Sequence, residues 1–255
     1  MIALFAVEVR RLLARRLVRL FGLLAGLGIL VAGVWVFAET PADFGLHTFR
    51  NVFAGTTAPI ALAAWVVGAS AVGAEWHTGS MTTTLTWEPR RVRLLVAKAA
   101  AVVLFAFVAT IVVQAVIGLA LVPAAVREPD VRICFGGCPP PSAWFPPAAG
   151  IVLRGAALSA VLAAVGFSLA SIGRNTAASV GVGFGYLLVV EGLLAALVDW
   201  LRPVLLTPNA VAFVGGEPLG EMGLSSPGAA GVLLAAYAVG ALVAAVALFR
   251  LRDVT

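Results

Sequence analysis

The chain has 255 residues, of which 62% are hydrophobic and 11% charged, and its mean hydropathy is +1.06. These values exclude a water-soluble protein, because no globule of this length buries so much apolar surface. The formal net charge is +5. We attribute this excess to a basic collar at one membrane surface, so nucleic-acid binding is not needed to explain it.

Apolar runs divide the chain into about six predicted transmembrane helices. A helix needs about 20 apolar residues to span the hydrocarbon, and the alternating pattern of a membrane barrel is absent. The predicted spans cover about residues 20–38, 56–74, 94–122, 148–172, 177–198 and 228–249. The sequence therefore predicts an all-α membrane protein with a single transmembrane domain over residues 1–255.

Residues 1–19 are predicted to form an amphipathic helix at the membrane surface. Charged and apolar side chains fall on separate helical faces: Glu8, Arg11, Arg15 and Arg19 on one, Phe5, Val9, Leu12, Leu13 and Leu20 on the other. A cleaved signal peptide is the alternative. We do not favour it, because the basic region is too long and no convincing small-residue cleavage site follows.

Residues 75–93 are predicted to leave the membrane, form a short surface helix and return. Glu75 and His77 end the second span, since an unpaired charge is costly in hydrocarbon. Pro89 stops the short helix, because proline lacks an amide donor. Lys98, about one turn into the third span, is expected to extend back towards the headgroups.

The same segment has the composition of a protein-docking surface. Met81 and Leu85 are four residues apart and share a helical face among threonines. A surface loop would explain the neighbouring arginines but not these apolar residues. We therefore favour docking over a loop.

Two further segments are predicted on the opposite side of the membrane. Residues 123–148 form a Pro- and Gly-rich loop with Cys134 and Cys138, which suit a local disulfide if the compartment is oxidising. Reduced thiols are the alternative, and a metal site lacks further ligands nearby. Residues 199–227 are too interrupted to span, so a short re-entrant or interfacial piece is expected there.

The distribution of basic residues predicts the orientation. Twelve of the 17 basic residues lie on one side of this topology, so the positive-inside rule places that side, both termini and residues 75–93 in the cytoplasm. The twelve are Arg10, Arg11, Arg15, Arg16, Arg19, Arg90, Arg91, Arg93, Lys98, Arg174, Arg250 and Arg252.

The sequence contains no motif for catalysis by this chain alone. A Gly-x-x-x-x-Gly-Lys-Ser/Thr phosphate loop is absent. His47 and His77 fall on opposite sides of the predicted membrane, which excludes a His-Glu-x-x-His zinc site. We expect no enzyme activity, metal or cofactor in this chain.

One acid, Glu191, lies inside a predicted span. It either lines a substrate cavity or carries a proton, or it is a protonated carboxyl bonded to a neighbouring helix. Tyr186 and Gln114 are candidate partners for such a bond. The sequence leaves these alternatives open.

The order of these parts resembles the ABC-2 type permeases of bacterial ABC exporters. The likeness in layout covers nearly the whole chain, but the motif itself lies in the segment Glu75-Trp-x-x-Gly-Ser followed by Pro89-Arg-Arg and Lys98. In that family a short cytoplasmic helix, here residues 76–88, docks into a separate ATPase subunit. The family's interfacial helix corresponds to residues 2–18 and its outer re-entrant segment to about 201–224.

The resemblance implies an export permease in the bacterial plasma membrane. It pairs with a second copy or a paralogous permease, and a partner ATPase binds ATP and magnesium. The substrate would be an apolar or amphipathic natural product, peptide or lipid. Residues expected to couple to the ATPase are Glu75, Trp76, His77, Gly79, Ser80, Met81 and Leu85, and those expected in the substrate pathway are Glu191, Gln114 and Tyr186. The alternatives are a transporter that needs no ATPase, and an immunity or scaffold protein that binds a peptide at the outer face.

Overall fold

A computed structural model describes residues 2–38, 46–87, 90–127, 145–216 and 226–251, and every regular element in these ranges is helical. The helices are α1 (Ile2–Ala14), α2 (Arg16–Ala38), α3 (Leu46–His77), α4 (Ser80–Trp87), α5 (Arg91–Arg127), α6 (Phe145–Gly173), α7 (Thr176–Gly185), α8 (Glu191–Leu197), α9 (Leu206–Gly215) and α10 (Pro227–Leu251). A π-helical turn, Tyr186–Val190, joins α7 to α8, and a 3₁₀ turn, Asp199–Val204, precedes α9. The predicted all-α class is confirmed for this part of the chain.

Five helical stretches are long and apolar enough to cross a membrane, counted over the described residues. They are Arg50–His77, Val92–Leu121, Pro146–Gly173, Thr176–Leu197 and Pro227–Leu251. The chain is thus a multi-pass membrane protein. The predicted first span lies within α2, a helix of 23 residues that is not among these five, so the count of six spans stays a prediction.

The two helices at the centre of the bundle, α3 and α6, cross at very close range. A Cβ atom on Gly68 of α3 would lie 2.2 Å from the carbonyl oxygen of Ala163 on α6. A Cβ on Gly166 of α6 would lie 2.4 Å from the carbonyl oxygen of Trp65 on α3. Each glycine therefore lets the backbone of the other helix approach. Close packing at small residues is expected in a membrane, because the hydrophobic effect does not drive helices together in lipid.

Two helix boundaries differ from the sequence-based expectation. The break between the amphipathic helix and the next one falls at Arg15 rather than near Arg19, and the Arg15 side chain at this break bonds to carbonyl oxygens of α3, as described below. Helix α5 continues to Arg127, so the first residues of the predicted external loop are helical. Cys134 and Cys138 lie outside the described residues, and their disulfide stays a prediction.

The predicted re-entrant region contains a short apolar helix, α9. Its 10 residues are too few to cross the hydrocarbon, which needs about 20. Helix α9 ends at Gly216, whose φ of 74° lies in the left-handed region that favours glycine. Among the described residues, a 3₁₀ turn and one short helix therefore separate the last two candidate spans.

Candidate functional site

The candidate site is the elbow where α3 ends and α4 begins. Helix α3 continues through Glu75 and Trp76 to His77, and a tight turn then leads into α4 at Ser80. Gly79 adopts a φ of 69° in this turn, a left-handed conformation that residues with a Cβ rarely adopt. The glycine therefore sets the angle between α3 and the short helix.

Among the side chains of α4 that the structure describes, one is buried and three with hydroxyl groups are exposed. The Met81 side chain is fully buried in the hydrophobic core, whereas Ser80, Thr83 and Thr86 are exposed. Met81 was expected among the residues that couple to the ATPase; its side chain anchors α4 to the bundle, and the coupling role stays a prediction. Leu85 lies in α4, but its side chain is outside what the structure describes.

On one side of the elbow, Lys98 forms a buried ion cluster with two glutamates. The Lys98 ammonium of α5 donates to Glu8 Oε2 of α1 and to Glu75 Oε1 of α3, both at 2.8 Å. The lysine is 2% exposed, so the expected extension of its side chain to the headgroups is wrong. A buried ammonium group is costly unless it is paired and hydrogen-bonded, and the two carboxylates meet that requirement.

Arg15 joins this cluster from the break between α1 and α2. Its guanidinium donates to the carbonyl oxygens of Ser70 at 2.6 Å and Ala71 at 2.9 Å, and to Glu75 Oε1 at 3.2 Å. Burial lowers the pKa of Arg15, an effect that the charges of Glu75 and Glu8 oppose. The arginine therefore ties the start of α2 directly to the last turns of α3.

Glu8 was placed on the wrong face of α1 by the sequence analysis. It lies between Phe5, Val9 and Leu12 on the face that packs against the bundle, and it is only 5% exposed. The signal was present, because Glu8 is three residues from Phe5 and four from Leu12, spacings that share one helical face. An acid within an apolar stripe predicts a buried cation, and Lys98 supplies it.

On the other side of the elbow, Trp76 contacts two further elements. The Arg174 guanidinium, in the turn between α6 and α7, lies 4.6 Å from the centre of the indole ring. The Phe249 ring of α10 meets Trp76 edge-on at 6.2 Å between ring centres. Each such cation–π or aromatic contact contributes about 0.5–2 kcal/mol. Together they attach the elbow to the α6–α7 turn and to α10. His77, the next residue, is exposed.

A second polar cluster surrounds Glu191 at the start of α8. Its carboxylate, 2% exposed, accepts hydrogen bonds from the backbone N–H of Thr207 at 2.6 Å and the Thr207 hydroxyl at 2.9 Å. Glu191 thus caps the N-terminus of α9, where the helix dipole favours negative charge. The sequence analysis had named Tyr186 and Gln114 as candidate partners; the hydrogen bonds go to Thr207 instead.

Gln114 makes two hydrogen bonds to α3, the longer one to the carbonyl oxygen of Phe53 at 3.4 Å. Its side-chain amide donates to the Thr57 hydroxyl at 2.8 Å. Thr57 and Thr207 both line one cleft of about 450 Å³ between α3, α6, the π-helical turn and α9. The proposed pathway residues Gln114 and Glu191 therefore each hold a threonine at the wall of the same cleft.

No cluster of three or more His, Cys, Asp or Glu side chains that could hold a metal occurs in the described ranges. Compared with models of known protein families and with curated proteins, the chain matches none. The likeness to ABC-2 type permeases consequently rests on the residues and layout of this chain alone.

Proposed function

We propose that this protein is the transmembrane permease subunit of an ABC exporter. A separate ATPase would bind at the elbow, and the permease would move an apolar or amphipathic substrate out of a bacterial cell. Both termini and the elbow would face the cytoplasm, as the basic residues predict.

The proposal rests on how the elbow is attached to the other helices of the bundle. Glu75 connects it through Lys98 and Arg15 to α1, α2 and α5, and Trp76 connects it to the α6–α7 turn and α10. Met81 anchors the exposed helix α4 to the same core. A force applied to α4 is therefore passed to the bundle as a whole, which favours a rigid-body transition driven from outside.

The cleft lined by Thr57 and Thr207 supports an apolar or amphipathic substrate. Its volume of about 450 Å³ lies in the range of small-molecule sites, about 300–1,000 Å³. The other residues that line it are aliphatic or aromatic, and both threonine hydroxyls already donate within the protein, Thr57 to the Phe53 carbonyl oxygen and Thr207 to Glu191. A substrate with a large apolar part and few polar groups fits this lining.

The first test is binding of an ATPase at the exposed face of α4. We would place Thr83→Cys in a chain carrying Cys134→Ser and Cys138→Ser, and express it with candidate ABC ATPase subunits. A bifunctional thiol reagent is expected to join the two proteins at Thr83→Cys and not at Leu193→Cys, an exposed position on α8. Equal cross-linking at both positions, or no co-purification, would overturn the proposal in favour of a protein that needs no ATPase.

The second test concerns coupling through Gly79. Proline cannot adopt the φ of 69° found there, and strain of about 1–3 kcal/mol should misplace α4. We expect Gly79→Pro to lower the stimulation of the partner's ATP hydrolysis by the permease in proteoliposomes about tenfold or more. Gly79→Asn is the matched control, because asparagine tolerates the left-handed region. Wild-type stimulation by the proline variant, inserted normally, would refute the coupling role.

A further inference from the structure

We propose that a cavity beside the elbow binds the phosphate group of an anionic ligand, which Arg11 and Arg15 hold. The ligand is a phospholipid headgroup or a soluble phosphate ester, two sources that share this chemistry. The cavity has no lining residue in common with the cleft described above. The inference does not depend on the proposed export function.

The cavity lies between the end of α1 and the elbow, and its volume is about 380 Å³. This volume falls in the range of small-molecule sites, about 300–1,000 Å³. Its lining residues are charged or polar apart from one alanine: Arg11, Ala14, Arg15, Glu75 and Ser80. The lining therefore suits a polar ligand, in contrast to the apolar walls of the cleft.

The ion cluster beside the cavity carries an excess of positive charge. Within the described part of the chain, its three cations, Arg11, Arg15 and Lys98, pair with two carboxylates, those of Glu8 and Glu75. One positive charge in this group of five side chains is therefore not balanced. Lys98 is almost fully buried, so the two arginines present that charge to the cavity. A phosphodiester, which carries one negative charge, would complete the balance.

Both arginines have N–H groups left to bind an anion. A guanidinium has five N–H donors. Among the described residues, Arg11 donates one hydrogen bond, to Glu8, and Arg15 donates three, all to α3. The Arg11 side chain is 51% exposed, so a ligand can reach it. Arginine forms short, charge-assisted hydrogen bonds with phosphate oxygens.

Glu75 also lines the cavity, but its negative charge is already neutralised within the cluster. Its Oε1 atom accepts hydrogen bonds from Lys98 and Arg15. Its Oε2 atom is buried and is therefore not presented to a ligand. The carboxylate consequently does not repel an anion as an isolated acid would.

The cavity lies at the membrane boundary. The candidate span of α3 ends at His77 and that of α5 begins at Val92, and Ser80 belongs to the segment between them. Lipid phosphates occupy this level, at the edge of the hydrocarbon. A carboxylate would also satisfy the arginines, but phosphate is the anion present here whether or not a partner protein is bound.

The test is binding to the purified chain, measured by native mass spectrometry with three probes: dihexanoyl phosphatidylglycerol, glycerol 3-phosphate and dihexanoylglycerol. We expect a phosphate-bearing probe to be retained and dihexanoylglycerol, which lacks the phosphate, to be lost. Retention of phosphatidylglycerol alone would identify a lipid headgroup as the ligand. Equal retention of glycerol 3-phosphate would identify a soluble ester.

Two pairs of variants separate binding in the cavity from a general attraction to the basic surface. Arg11→Gln should lower retention about tenfold, because it removes charge-assisted hydrogen bonds. Arg10→Gln, at an exposed neighbour that does not line the cavity, should lower it no more than about twofold. Ala14→Leu should fill part of the cavity and lower retention about fivefold without a change of charge. Its control, Ala6→Leu, at an exposed position of α1 outside the cavity, should not.

Equal losses in Arg10→Gln and Arg11→Gln would overturn the proposal in favour of a diffuse basic surface. Wild-type retention in both Arg11→Gln and Ala14→Leu would also overturn it, and so would a wild-type chain that retains neither phosphate-bearing probe. In that last case, binding gained in Glu88→Gln would identify a carboxylate of this chain as the occupant. If Arg11→Gln does not fold, the two alanine variants decide.

Discussion

Replacing Lys98 with methionine should remove the charge that holds two buried carboxylates while keeping most of the side-chain volume. Glu75 retains Arg15 as a partner, but Glu8 retains, among the described residues, only Arg11, which is half exposed. Breaking a buried ion pair by removing one partner costs about 3–5 kcal/mol. Because these residual pairs remain, we expect the lower end, about 3 kcal/mol.

The assay is the apparent Tm of the purified chain in detergent, measured at one scan rate because membrane proteins often unfold irreversibly. A loss of about 3 kcal/mol corresponds to a decrease in Tm of about 10 °C for a chain of this size. Lys98→Met combined with Glu8→Gln should recover most of this loss. In the double variant the Arg15–Glu75 pair remains, and each remaining buried carboxylate of the cluster still has a cation.

The control is Arg250→Met, the same replacement at an exposed basic residue, which should change the Tm by no more than about 1–2 °C. The reasoning fails if Lys98→Met is as stable as the wild type. It also fails if the double variant is less stable than Lys98→Met alone, since the glutamate would then stabilise α1 by some means other than its charge.

Two further predictions concern the contacts of α7 and α9. A Cβ at Gly183 would lie 2.1 Å from the buried Trp65 ring, so Gly183→Ala should lower the free energy of unfolding by about 1–3 kcal/mol. The control Gly181→Ala, at an exposed position with free space, should not lower it. Equal shifts in Tm for the two variants would contradict this account. Glu191→Ala should speed hydrogen exchange of the amides of α9 about tenfold, because the Thr207 N–H loses its acceptor at a cost of about 1–3 kcal/mol. Glu191→Gln keeps an acceptor and should exchange nearly as the wild type, and unchanged exchange in the alanine variant would show that the cap is unimportant.

The sequence predicted the helical elements better than the contacts between them. Apolar runs place the predicted spans within or close to the observed helices, because burial in lipid depends on each segment's own composition. Met81 shows the limit of this reasoning: its position on a short surface helix was predicted, but not which way the side chain faces. The direction of the Met81 side chain depends on the angle that Gly79 sets between α3 and α4 and on the core residues that Met81 contacts. The sequence of the short helix itself specifies neither.

The ion cluster shows the same limit over a longer range. Glu8 and Lys98 are 90 positions apart, and each alone is consistent with a solvated charge near a helix end. Only the packing of α1 against α5 turns them into a buried pair. The π-helical turn before Glu191 was not predicted either. Such turns are rare single turns within α-helices, and no residue pattern in the sequence marks them.

The position of Glu8 in the chain also constrains how the protein assembles. Synthesis produces α1 before α5, so the ammonium group that neutralises Glu8 arrives 90 residues later, after α2, α3 and α4 have been made. Until then an acid in the middle of an apolar stripe has no reason to leave water. Helix α1 can therefore take its place against the bundle only after α5 has been made, so its docking reports that the buried cation is already present.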